Sequence, residues 1–126
     1  MKHLAIILAF GLVSCIPENA KREFEQQWAE VQKMTADREF KTGIAFIELH
    51  KVRYGSYPES EKDLTFTNPM DTSIWRSLTY KKLENGYELD LQKNSVSMSG
   101  ELSPLLLKYP ADFWKGLGCV RSNTRE

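Results

Sequence analysis

The sequence predicts an α+β domain in which one long amino-terminal helix packs on a small antiparallel sheet, a three-stranded meander. Three observations lead there. The run from Glu18 to Arg53 contains no proline and one glycine, Gly43, among strong helix formers. The alternating segments "SLTYKKLE" and "YELDLQKN" flank Asn85-Gly86, the dipeptide preferred in two-residue type I′ hairpin turns. A third alternating segment, "SVSMS", follows directly.

Within the helical run, Phe24, Trp28, Val31 and Thr35 recur at the four-three-four spacing of one helix face. Further on, Phe40, Ile44, Ile47 and Tyr54 form one stripe while Phe46 and Leu49 point elsewhere, the pattern of a buried helix. Glu18 and Glu23 lie early and Lys51 and Arg53 late, which suits the helix dipole, and Gly55 is the expected C-cap. A single helix would be a rod of roughly 50 Å, and that is the reading taken. The alternative is a break near residues 35–37, with Asp37 capping a second helix.

After the helix, Pro58 fixes a turn, residues 59–64 form one short helical turn ending on a buried Leu64, and Asn68-Pro69 marks a loop. A turn at Asn85-Gly86 sets Glu84 against Tyr87, Lys81 against Asp90 and Tyr80 against Leu91. Leu78, Tyr80, Tyr87, Leu89 and Leu91 then share the inner face, and Lys81 and Asp90 pair outside. Val96 and Met98 are expected inward on the third strand. Ser103-Pro104 reads as the start of a helix over "LLLKY", Asp112 as another cap, and Gly116 as a stop. Leu105, Leu106, Phe113 and Trp114 are expected to cover the helix or the sheet edge, and the polar "RSNTRE" is expected to fray.

The 126 residues suffice for one core. Lysines plus arginines and acids number 17 each, which leaves no electrostatic footprint for nucleic acid. The amino terminus is different in character. A basic Met1-Lys2-His3 precedes the ten-residue apolar run "LAIILAFGLV", half the roughly 20 residues a spanning helix needs and right for a signal peptide. The run ends in Leu12-Val13-Ser14-Cys15, which resembles the bacterial lipoprotein lipobox. That resemblance implies a diacylglycerol thioether on Cys15, cleavage before it and acylation of the new amine. It also implies the division into a signal peptide over 1–14, a lipidated tether over 15–20 and one globular domain over 21–126. Cleavage removes one base and no acid, leaving one net negative charge. Two or more acyl chains hold a protein stably on a bilayer. Ile16 stands where an aspartate would favour inner-membrane retention in enteric-type bacteria. The resemblance thus implies the periplasmic face of the outer membrane if the host is Gram-negative.

Tyr54-Gly55-x-Tyr57-Pro58, a helix leading into it and a hairpin after it resemble the globular part of type IV pilins and type II secretion pseudopilins. The resemblance spans residues 40–92 and implies a pilin-like helix cradled by a small sheet. The filament-core helix of that family is replaced here by the lipobox and a charged helix.

Outside the signal segment His50 is the single histidine and sits at the edge of the buried stripe, where a structural role is expected. Cys119 has no partner once Cys15 is acylated and reads as a small buried hydrophobe. One histidine and one cysteine cannot build a zinc site, and Glu59, Glu61 and Asp63 read as solvated. No phosphate-cradling glycine loop is present. No cofactor, metal or catalytic residue is therefore expected. The expectation is a lipid-anchored envelope protein acting as a non-catalytic binding or accessory module, for which the pilin resemblance implies pilus or secretion machinery as the setting. Its partner-binding candidates are Phe24, Trp28 and Val31, and its partners the membrane through Cys15 and an envelope protein. The alternatives are a small envelope enzyme or an inhibitor or immunity-type lipoprotein.

Overall fold

One helix, α1, runs unbroken over Glu18–Tyr54. At 1.5 Å per residue its 37 residues make a rod of about 55 Å. The continuous reading therefore holds, with no break at Asp37. The computed structural model describes residues 17–66 and 68–126; Cys15 and the apolar run before it lie outside them. Gly55 ends α1 in the left-handed region (φ 79°), its N–H bonded to the Lys51 carbonyl at 2.8 Å. Every residue of α1 up to Val31 is exposed, and the first buried one is Ala36. From there Ala36, Phe40, Gly43, Ile44 and Ile47 face the core. Gly43 is where the sheet comes closest: a Cβ there would sit 2.6 Å from Leu78.

Beyond the helix, Ser60 and Asp63 form a capping box around the 3-10 turn Glu61–Asp63, and Leu64 is buried as expected. The expected loop at Asn68-Pro69 instead opens a longer 3-10 helix, Pro69–Arg76, which delivers Ile74 to the core. Strands β1 (Leu78–Leu83) and β2 (Gly86–Leu91) pair antiparallel, with the inner face as expected.

Their register is two residues away from the sequence reading. Leu83 faces Gly86, Lys81 faces Glu88 and Tyr80 faces Leu89, so the turn is Glu84-Asn85 and Lys81 does not oppose Asp90. A slip of two preserves every side chain's face, which is why the inner set is unchanged. The physical reason lies at Gly86 (φ 151°), where a Cβ would strike the Gly118 carbonyl. Close approach of another strand, rather than a type I′ turn, demands this glycine; no described non-glycine residue has positive φ.

That other strand overturns the meander. The main sheet has the order β1-β2-β5, and β5 (Cys119–Arg121) runs parallel to β2. Strand β3 (Asn94–Val96) pairs antiparallel with β4 (Leu102–Pro104) in a separate hairpin, leaving Val96 and Met98 exposed rather than inward. Ser103-Pro104 thus closes a strand and starts no helix. Asp112 lies in the first turn of the 3-10 helix Ala111–Trp114, whose cap position is Pro110. The coarse class stands: a long helix on a small, mostly antiparallel sheet.

The carboxy-terminal residues are fixed, not frayed. Thr124 is buried, and Tyr109 and Arg125 form a parallel bridge. The Asn123 amide bonds the Leu91 N–H and carbonyl at 2.9 and 2.8 Å, continuing the ladder with a side chain. Phe40 stacks on Tyr109 (5.5 Å between centroids) and meets the edge of Trp114 (6.1 Å), over which the Arg125 guanidinium lies at 4.5 Å. Phe113 and Leu105 are half-buried and Trp114 buried as cover, whereas Leu106 is exposed.

Candidate interaction surface

The amino-terminal half of α1 leaves the core and carries apolar side chains into solvent. Phe24 is 55%, Trp28 42%, Val31 51% and Met34 68% exposed. All three sequence candidates thus lie on open surface, and residues 100–126 do not cover them. Thr35, the fourth member of the predicted stripe, is half-buried. Met34 takes its place, so that Ala20, Phe24, Gln27, Val31, Met34 and Arg38 run along one side at four-three spacing. A 3.5-residue repeat of this kind is what one helix offers to another.

The hairpin of β3 and β4 braces this half of the helix. Gln32 bonds both backbone groups of Val96, its Oε1 accepting from the N–H at 2.7 Å and its Nε2 donating to the carbonyl at 3.0 Å. The Trp28 indole N–H donates to the same carbonyl at 2.8 Å, and Lys93 meets Glu39 at 3.3 Å lower down. Trp28 therefore has two roles, an exposed ring and a strut. Beyond it the hairpin tip places Met98 against the helix, and Ala20, Lys21, Phe24, Glu25 and Met98 line a groove of about 550 Å³. Sequence reasoning missed Met34 and Met98: the first was displaced by Thr35, the second assigned to a sheet face.

Where the exposed stripe meets the core, Asp37 accepts from the Tyr109 hydroxyl at 2.7 Å and pairs with Lys41 at 3.1 Å. Partial burial pushes its carboxyl upward, but the Tyr109 hydrogen bond and Lys41 outweigh that and hold it below the usual aspartate range. The Tyr109 hydroxyl is pushed well above the ordinary phenol range, by burial first and by Asp37 second.

The reactive side chains are engaged elsewhere in structure. His50 donates from Nδ1 to the Ser56 carbonyl at 2.9 Å, with its ring against Tyr54. Burial pushes the Cys119 thiol up to about 11, so it stays protonated at neutral pH. The Glu48 carboxylate accepts from the Tyr87 hydroxyl (3.0 Å), the Gly118 N–H (2.7 Å) and the Tyr57 hydroxyl (3.2 Å), which ties α1 to β2 and β5. Buried Pro58 accepts from the Tyr80 hydroxyl at 2.6 Å. The tyrosine-glycine-x-tyrosine-proline turn is thus a clamp between helix end and sheet. Glu59 pairs with Lys82 at 2.6 Å, and Asp63 accepts from the N–H groups of Glu59 and Ser60. Among the described residues no group of three or more histidines, cysteines and acids is placed to hold a metal, and no helix is long and apolar enough to cross a membrane.

Fold and surface together define a small α+β domain carried on a projecting, partly apolar helix. Compared with protein-family models, curated proteins and solved structures, the chain matches none.

Proposed function

We propose that this chain is a lipid-anchored cell-envelope protein whose domain acts as a non-catalytic binding or accessory module. The likeness of residues 40–92 to pseudopilins suggests a pilus or secretion machine as its setting. One observation carries the reading: the half of α1 nearest Cys15 leaves the core and exposes Phe24, Trp28, Val31 and Met34 along about 15 Å of helix. The motif Leu12-Val13-Ser14-Cys15 supports the anchor. At most about 10 Å of extended chain separates Cys15 from the start of α1 at Glu18, which keeps a partner at or beside the membrane.

The test has two arms. A labelled fatty acid should enter the chain and should not enter Cys15→Ser; equal labelling refutes the anchor. A photo-reactive residue at position 31 should give one discrete adduct with an envelope protein in intact cells. Val31→Glu, probed from position 34, should weaken that adduct by roughly 30-fold, the size of a hot-spot loss of about 2 kcal/mol. An unchanged yield removes Val31 from the interface. Trp28→Ala is less informative, because it also takes a hydrogen bond from the hairpin.

A further inference from the structure

We infer that the groove of Ala20, Lys21, Phe24, Glu25 and Met98 is a second membrane contact, in which Phe24 and Met98 enter the bilayer surface beside the anchor. The inference rests on the acylated Cys15 proposed above. Three residue steps separate Cys15 from Glu18, a reach of about 10 Å at full extension. Phe24 lies six residues into α1, about 9 Å along its axis. The groove therefore lies within about 19 Å of the anchored cysteine, near enough for the helix to lean its Phe24 side onto the headgroup layer.

Two separate elements converge there. Phe24 comes from α1, whereas Met98 comes from the β3–β4 hairpin tip, more than seventy residues later in the chain. The tip is held in place by Trp28 and Gln32 on the Val96 backbone and closed by the Ser97 N–H to the Glu101 carbonyl at 2.9 Å. Apolar side chains at the acyl boundary bind in proportion to the area they bury. The rim suits that level. Lys21 has a stem long enough to keep its charge among phosphates while the stem lies lower; it pairs with Glu18 at 3.8 Å and shares the rim with Glu25.

The contact divides the exposed surface. The bilayer takes Phe24 and Met98, while Val31 and Met34 remain for a protein. It also gives α1 a direction: the helix leans on its Phe24 side rather than standing free on its tether.

The experiment uses the acylated full chain purified from membranes. A bimane is placed on Met98→Cys or, as a control, on Arg53→Cys at the far end of α1. Cys15 is blocked by lipid and Cys119 is buried and protonated, so each engineered thiol labels alone. In vesicles of phosphatidylethanolamine and phosphatidylglycerol, a bimane at 98 should shift to the blue and lose emission to doxyl-labelled lipid, while one at 53 should do neither. Phe24→Ser, exposed and outside the core, should reduce the loss at 98 with the circular dichroism unchanged. If the chain floats with the vesicles but 98 is untouched by doxyl lipid, the contact is overturned and the anchor stands. Protection of 98 that appears only in native membranes, and not in pure lipid, overturns it in favour of a protein. A chain that carries no lipid and does not float overturns anchor and contact together.

Discussion

Phe40→Ala tests whether the carboxy-terminal segment is as firmly docked on α1 as its contacts require. Phe40 is fully buried and is the residue of α1 on which both Tyr109 and Trp114 rest. Phe-to-Ala truncation in a core costs about 3–5 kcal/mol in lost burial plus residual cavity. The two aromatic pairs, each worth about 0.5–1.5 kcal/mol beyond burial, place this site at the upper end. A small domain has about 5–15 kcal/mol in all, so a third or more of its stability should go. At about 4 °C per kcal/mol the midpoint should fall by roughly 15–20 °C. Urea titration followed by far-ultraviolet circular dichroism measures the change, with the slope m unchanged if only the native state is affected. Phe40→Leu should recover much of the loss. A loss below about 1 kcal/mol would show that Tyr109 and Trp114 can do without the ring, and the aromatic cluster could not then be what holds the segment down.

Two further expectations follow. Gly86→Ala should push the Gly118 carbonyl off β2 and, with φ at 151°, add backbone strain, at a total of about 2–4 kcal/mol. Amide exchange at Tyr87, whose N–H bonds that carbonyl at 3.0 Å, should accelerate tenfold or more if opening becomes local; an unchanged rate counts against the close approach. Tyr109→Phe should weaken acid sensitivity. Asp37 has a lowered carboxyl in the fold, so its contribution is present above the ordinary aspartate value of 3.8 and is lost as pH falls through the lower folded value. Without the hydroxyl the drop in urea midpoint over that acid window should shrink; an equal drop in both proteins would assign it to other groups.

The long helix was legible because a proline-free run of helix formers, charges matched to the dipole and Gly55 all agree. The inner hairpin face was legible for a different reason. Strand periodicity of two survives an even slip, so Leu78, Tyr80, Tyr87, Leu89 and Leu91 were correctly grouped from a turn placed one residue late, which shifts the pairing by two. The preference of Asn-Gly for type I′ turns was outweighed by a long-range contact. Gly86 answers to Gly118, thirty-two positions away, and a local rule carries no information about that.

The carboxy-terminal third was misread because its strands are three residues long, too short for alternation to register. Its order comes from side chains that stand in for backbone, Asn123 on Leu91 above all. The polarity of "RSNTRE" suggested solvent, whereas here polar groups are the mortar. Of the interaction surface, Phe24, Trp28 and Val31 were visible from helical spacing. Met98 was not, because nothing local to "SVSMS" reveals that Gln32 and Trp28 hold it beside the helix.

Because β2 receives its second neighbour from residues 118–121, the central ladder cannot close until nearly all of these residues have been delivered. A chain emerging amino end first would hold α1 and the β1–β2 ribbon for some time with one open flank, built from distant pairings that form slowly. Until Gly118 arrives that flank stays open, and the sheet sets only once residues 118–121 are in place.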